Sequence, residues 1–123
     1  MIDHVTIRVS DLQKSKAFYD KVLAKLDLKI VLGSDNEGYW GYGAKEDPIF
    51  EISNPDKNNP PHKRIHIAFK AKNKEMVDAF YETAIAEGAT DNGKPGLRPQ
   101  YTPTYYAAFV RDFDGNNIEA CVY

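Results

Sequence analysis

Apolar and polar residues alternate along two short stretches of the chain. Val5, Ile7 and Val9 are apolar with His4, Thr6 and Arg8 between them, and Ile65, Ile67 and Phe69 are apolar with His66, Ala68 and Lys70 between them. Period-2 alternation predicts a strand with one buried face. Each strand runs into a stretch of helical period. Phe18, Val22 and Leu26 recur every fourth residue, as do Met76, Phe80 and Ala84. Ser10-Asp11-Leu12-Gln13 reads as a capping box that starts the first helix at Ser10, and Asn73 starts the second, which Gly88 stops.

The two stretches are copies. His4 matches His66 and Phe18-Tyr19 matches Phe80-Tyr81, 62 residues apart in both cases. That is about half the chain, the spacing of a half-unit that cannot bury its apolar face alone. After the first helix, residues 28–32, 38–43 and 48–53 read as strands separated by turn-rich segments, so the first half is β-α-β-β-β. Residues 54–62, rich in Pro, Asn and Asp, suit a surface connection. In the second half, residues 105–111 and 117–122 read as strands joined by a turn at Asp114-Gly115-Asn116. Residues 89–104 hold three of the seven prolines and predict a loop with a short strand near 97–100. The fold class expected is α+β: two βαβββ modules, about 1–54 and 64–123, forming one domain with a cupped mixed sheet and helices on its outer face.

Composition narrows the partners. With 123 residues, 42% of them hydrophobic, and a formal charge of −2 of mixed sign, the chain supports one core and carries no footprint for nucleic acid or an anionic membrane. The single Cys121 forms no internal disulfide and no apolar run reaches membrane length, so a cytoplasmic protein with a small-molecule partner is expected.

Polar residues on the strand faces turned away from the helices carry the candidate chemistry. His4 and His66 are equivalent by the repeat. Glu51 lies between Phe50 and Ile52, and Glu119 lies between Ile118 and Ala120. Two imidazoles and two carboxylates, without thiolates, suit a borderline divalent cation: Zn²⁺, Ni²⁺, Mn²⁺, Co²⁺ or Fe²⁺. A flat, wet sheet face would leave all four as ordinary solvated side chains. Tyr39, Trp40, Tyr42, Tyr101 and Tyr105 are either core or the lining of a cleft. His62 reads as a loop surface residue and Cys121 as a small apolar group.

At these residues the chain resembles a known family. His4-Val5-Thr6-Ile7-Arg8-Val9-Ser10-Asp11-Leu12 with Phe18-Tyr19, then Phe50-Glu51-Ile52, Ile65-His66-Ile67-Ala68-Phe69 and Asp112-Phe113-Asp114-Gly115-Asn116-Asn117-Ile118-Glu119, is similar in order and spacing to glyoxalase I and its vicinal oxygen chelate relatives. The resemblance implies His4, Glu51, His66 and Glu119 as metal ligands and Arg8 as a substrate-binding residue, and Tyr105 of the aromatic set is the further substrate-binding candidate. It implies Glu119 as the base and Glu51 as the second choice, in a proton abstraction that passes through an enediolate of a hydroxy-carbonyl or thiol-conjugate substrate. It also implies a homodimer. Phe113 stands where the family's turn has proline, and Gly96-Leu97-Arg98-Pro99 with Tyr105-Tyr106-Ala107-Ala108-Phe109-Val110 resembles an uncharacterised branch. Two other activities of the superfamily are alternatives: extradiol-dioxygenase-like oxygen chemistry at a two-histidine, one-carboxylate iron site, and non-catalytic antibiotic binding, as in bleomycin resistance.

Overall fold

A computed structural model describes all residues, 1–123, and separates into two compact units, Met1–His62 and Lys63–Tyr123. The first contains β1 (Val5–Arg8), α1 (Leu12–Ala24), β2 (Lys29–Ser34), β3 (Tyr39–Gly43) and β4 (Phe50–Ser53). The second repeats the order with β5 (His66–Lys70), α2 (Lys74–Ala86), β6 (Thr90–Leu97), β7 (Tyr106–Arg111) and β8 (Asn117–Val122). The sheets are ordered β1-β4-β3-β2 and β5-β8-β7-β6, with β1–β4 and β5–β8 parallel and the other pairs antiparallel. Both are the βαβββ modules that the repeat predicts, in an α+β fold.

In each module one sheet face buries its apolar residues with the helix. Ile7, Phe50, Ile52 and Tyr42 are buried with Phe18, Tyr19, Val22 and Leu23 of α1, and Val110, Ile118 and Ala120 with Val77, Phe80 and Ala84 of α2. A phenol ties each helix to its sheet. Tyr42 donates to Asp20 at 2.9 Å and Tyr106 to Asp78 at 2.6 Å. The Asp78 bond, with burial, pushes the Tyr106 hydroxyl up to about 12, so it stays a donor at neutral pH. Tyr42 is therefore core and not cleft lining.

Two boundaries differ from the sequence reading. The N-cap of α1 is Asp11, whose side chain accepts from the Lys14 amide at 3.0 Å, one residue later than expected. Gln13 reaches across to Asp35 at 2.6 Å instead of back to the cap. The second departure is β6, which spans Thr90–Leu97 where a loop was expected before a short strand at 97–100. Register shifts at Asp91/Gly93 and Gly93/Gly96 explain why no alternation marks it. Gly93, at φ +150°, lies where an added Cβ would come within 2.9 Å of the Phe109 ring, and Asp91 accepts from its amide at 2.9 Å.

Candidate metal and substrate site

Strand register decides which side chains share a face. In the first module Thr6 pairs with Glu51 and Gly41 pairs with Glu51 from the other side, so all three point away from α1. In the second, Ala68 and Phe109 flank Glu119 in the same way. Glu51 and Glu119 are thus equivalent positions on equivalent strands.

Their surroundings differ. Glu119 is 3% exposed, with Oε2 at 2.9 Å from His66 Nε2 and Oε1 accepting from the Tyr105 hydroxyl at 2.5 Å. Burial above all, then the bonds to Cys121 and Glu119, holds the Tyr105 phenol far above its ordinary value, so it acts as a donor. Tyr105 is itself braced, its ring stacked on Tyr123 at 5.2 Å and 8° and edge-on to Tyr101 at 5.2 Å. Cys121, on the same face, is buried, and burial pushes its thiol up. Glu51 is more open. Its Oε2 accepts from Thr6 Oγ1 at 2.8 Å and lies 3.9 Å from His4 Nε2. Module 2 has Ala68 where module 1 has Thr6, so the hydroxyl that holds the carboxylate comes from a β7-flanking tyrosine instead of the neighbouring parallel strand.

His4 sits just before β1. Its Nδ1 bonds Asp3 at 2.7 Å, which leaves Nε2 toward Glu51, and this bond, followed by the Glu51 charge, holds the imidazole above its ordinary value. A carboxylate on the remote nitrogen is a common way of orienting an imidazole for a metal.

The donor set fits a divalent cation in kind. Two donors bonded at about 2.1 Å and set 90° to 109° apart lie roughly 3.0 to 3.4 Å from each other. The His66–Glu119 separation of 2.9 Å is close to the lower value, while the 3.9 Å between His4 and Glu51 is wider. The structure brings His4 together with Glu51 and His66 together with Glu119, and no group of three or more His, Cys, Asp or Glu side chains that could hold a metal ion is present.

The profile of the Glyoxalase/Bleomycin resistance protein/Dioxygenase superfamily matches residues 1–120. The chain belongs to that superfamily. Among its superfamily relatives, a glyoxalase/bleomycin resistance protein from Albidiferax ferrireducens T118 is 32% identical, with a TM-score of 0.81 over 97% of this chain and 95% of that one. Metallothiol transferase FosB of Shouchella clausii (strain KSM-K16) is 28% identical over 118 residues, 96% of this chain and 77% of that protein. Lactoylglutathione lyase from Agrobacterium tumefaciens, at 23% identity and TM-score 0.69 over 98% of this chain and 92% of that one, shares the fold.

Arg8 has local work in this glyoxalase-superfamily chain. Its Nη1 donates to the Asn54 carbonyl at 2.9 Å and lies 4.0 Å from Asp56, fastening the segment after β4. His62, expected as a plain surface residue, exchanges two bonds with the Arg8 backbone: its amide donates to the Arg8 carbonyl at 2.9 Å and its Nδ1 accepts the Arg8 amide at 2.8 Å. Sequence gives no signal for either contact, since both depend on where residues 54–62 return to β1. Of the other aromatics, Trp40 bonds Asp35 at 3.1 Å under Lys16, while Tyr101 is exposed. No helix is long and apolar enough to cross a membrane.

Proposed function

We propose that the chain is a metal-dependent enzyme of the glyoxalase type, taking a proton from the carbon beside a carbonyl of a small hydroxy-carbonyl or thiol-conjugate substrate. The observation that carries the reading is the buried Glu119, held by His66 on one oxygen and Tyr105 on the other, and echoed by Glu51 with His4 and Thr6. In this reading His4, Glu51, His66 and Glu119 are the ligands of one divalent cation, and residues 1–123 act as one domain that pairs as a homodimer. The cation, when bound, supplies Lewis acidity toward the substrate oxygens.

The chain's own groups do the rest. Glu119 Oε2 takes the proton and returns it to the adjacent carbon, an isomerisation with no net loss of atoms. Tyr105 keeps the other carboxylate oxygen fixed, which limits the motion of the base to one oxygen. Glu51, less buried, is the second candidate for the base.

A second reading rests on the likeness, across 96% of the chain, to metallothiol transferase FosB: transfer of a thiol at the same residues. The experiment is reconstitution with Ni²⁺, Zn²⁺ or Mn²⁺, followed by loss of hemithioacetal absorbance from methylglyoxal and a thiol. Wild-type turnover abolished by Glu119→Gln, with the fold retained, supports isomerisation. Full activity in Glu119→Gln removes Glu119 from the chemistry, and protein-dependent consumption of thiol beyond its spontaneous addition to methylglyoxal, without isomerisation, moves the assignment to thiol transfer.

A further inference from the structure

The face that carries Glu119 also carries a row of donors that neither the repeat nor the family likeness assigns. One pleat repeat before the Ala68–Glu119–Phe109 row, the register aligns His66 with Asn117 and Asn117 with Arg111, so these three point to the same side as Glu119. Two residues along a strand span about 7 Å. Here a cleft of about 590 Å³ is lined by Lys63, Arg64, His66, Arg111, Asp114 and Asn117.

Its chemistry is that of an oxyanion site. Three cations, Lys63, Arg64 and Arg111, line the cleft with His66 and a single carboxylate, Asp114. Arg111 donates through Nη1 to the Gly115 carbonyl at 3.0 Å, which fixes the guanidinium while leaving its other N–H groups for a ligand. The Asn117 oxygen accepts from Asn92 at 3.1 Å, so the amide presents its NH₂ group as a donor. Arg8, the arginine that family likeness suggests for a substrate carboxylate, is instead bonded to Asn54 in its own module.

We propose that this cleft, entered by His66, holds a terminal oxyanion of the substrate, a carboxylate or a phosphoryl-type group, one strand row or about 7 Å from the Glu119 row. The substrate is then a short acid, with its reacting oxygens and its anionic end separated by about five or six bonds, since an extended chain advances about 1.2 Å per bond. This identification of substrate class rests on the metal-dependent reading, whereas anion binding by the cleft does not.

The test separates the two. Chelator-treated protein is titrated with inorganic phosphate and, in a second arm, with acetate, following amide shifts of residues 63–66 and 111–117 by NMR. Wild type, Arg111→Gln and Arg64→Gln are compared, and Mn²⁺ affinity is measured on all three. Saturable shifts confined to those residues, weakened fivefold or more in Arg111→Gln at unchanged melting temperature, support the site; the stronger of the two anions names the oxyanion type. Absence of saturable shifts with either anion, or equal affinity in wild type and both variants, overturns it. Phosphate binding by a wild type that takes no Mn²⁺ keeps the anion site and removes the metal reading.

Discussion

Replacing Tyr105 by Phe deletes one hydroxyl and leaves its ring stack intact, so it removes the 2.5 Å bond to Glu119 together with the weaker bond to Cys121. The acceptor is a carboxylate at 3% exposure, which water reaches poorly. Hydrogen bonds to charged groups contribute roughly 1.5–3 kcal/mol, and a buried acceptor that loses its partner keeps its desolvation penalty. Glu119 retains His66 at 2.9 Å, which places the expected loss near the lower half of that range, about 1.5–2 kcal/mol. For a chain of this length that corresponds to a melting temperature lower by roughly 6–8 °C. Urea and thermal unfolding of metal-free protein measure it. Because burial holds the Tyr105 phenol up, the difference should persist unchanged through the neutral range. The module 1 counterpart, Thr6→Val, serves as the control and should lose less, about 0.5–1 kcal/mol, since Thr6 is exposed. A Tyr105→Phe loss below about 0.5 kcal/mol, or one smaller than that of Thr6→Val, would refute the view that the phenol fixes this carboxylate.

Two further outcomes follow from the backbone and from charge. Gly33→Ala should lower stability by roughly 1–3 kcal/mol by urea unfolding, because Gly33 is at φ +105° and a Cβ there would lie 2.3 Å from the Tyr39 carbonyl oxygen. Asp91 is held below the ordinary carboxylate range, first by the Gly93 amide and then by Tyr81. A depressed folded value gives stability that is present above the unfolded value and lost as pH falls through the folded one. The stability gap between wild type and Asp91→Asn should therefore close as pH drops below the ordinary Asp range; a constant gap across acid titration would contradict that assignment.

The modules were legible because burial leaves a periodic trace. Ile7 in β1 and Val9 just after it, Phe50 and Ile52 in β4, and Phe80 and Ala84 in α2 are all buried where their period placed them. β6 left no such trace, since its Thr-Asp-Asn-Gly-Lys-Pro-Gly-Leu sequence is strand only through bulged pairing with β7. The site was half legible. Alternation put His66 and Glu119 on one face, and the contact between them is 2.9 Å. The hydroxyls that hold the carboxylates were not, because Thr6 acts across a parallel pair and Tyr105 across 14 residues of chain, and neither distance has a period. The His66, Asn117 and Arg111 row emerges only from strand register, which composition does not encode, and Lys63 and Arg64 join it from the segment before β5.

Calorimetric titration of metal-free protein with Mn²⁺ or Ni²⁺, using wild type, His4→Ala and His66→Ala, tests most directly the proposal that His4, Glu51, His66 and Glu119 hold one cation. One ion per chain, with affinity reduced at least about tenfold by either substitution, is the expected result. No saturable binding by the wild type, or binding that His4→Ala leaves untouched, would contradict it.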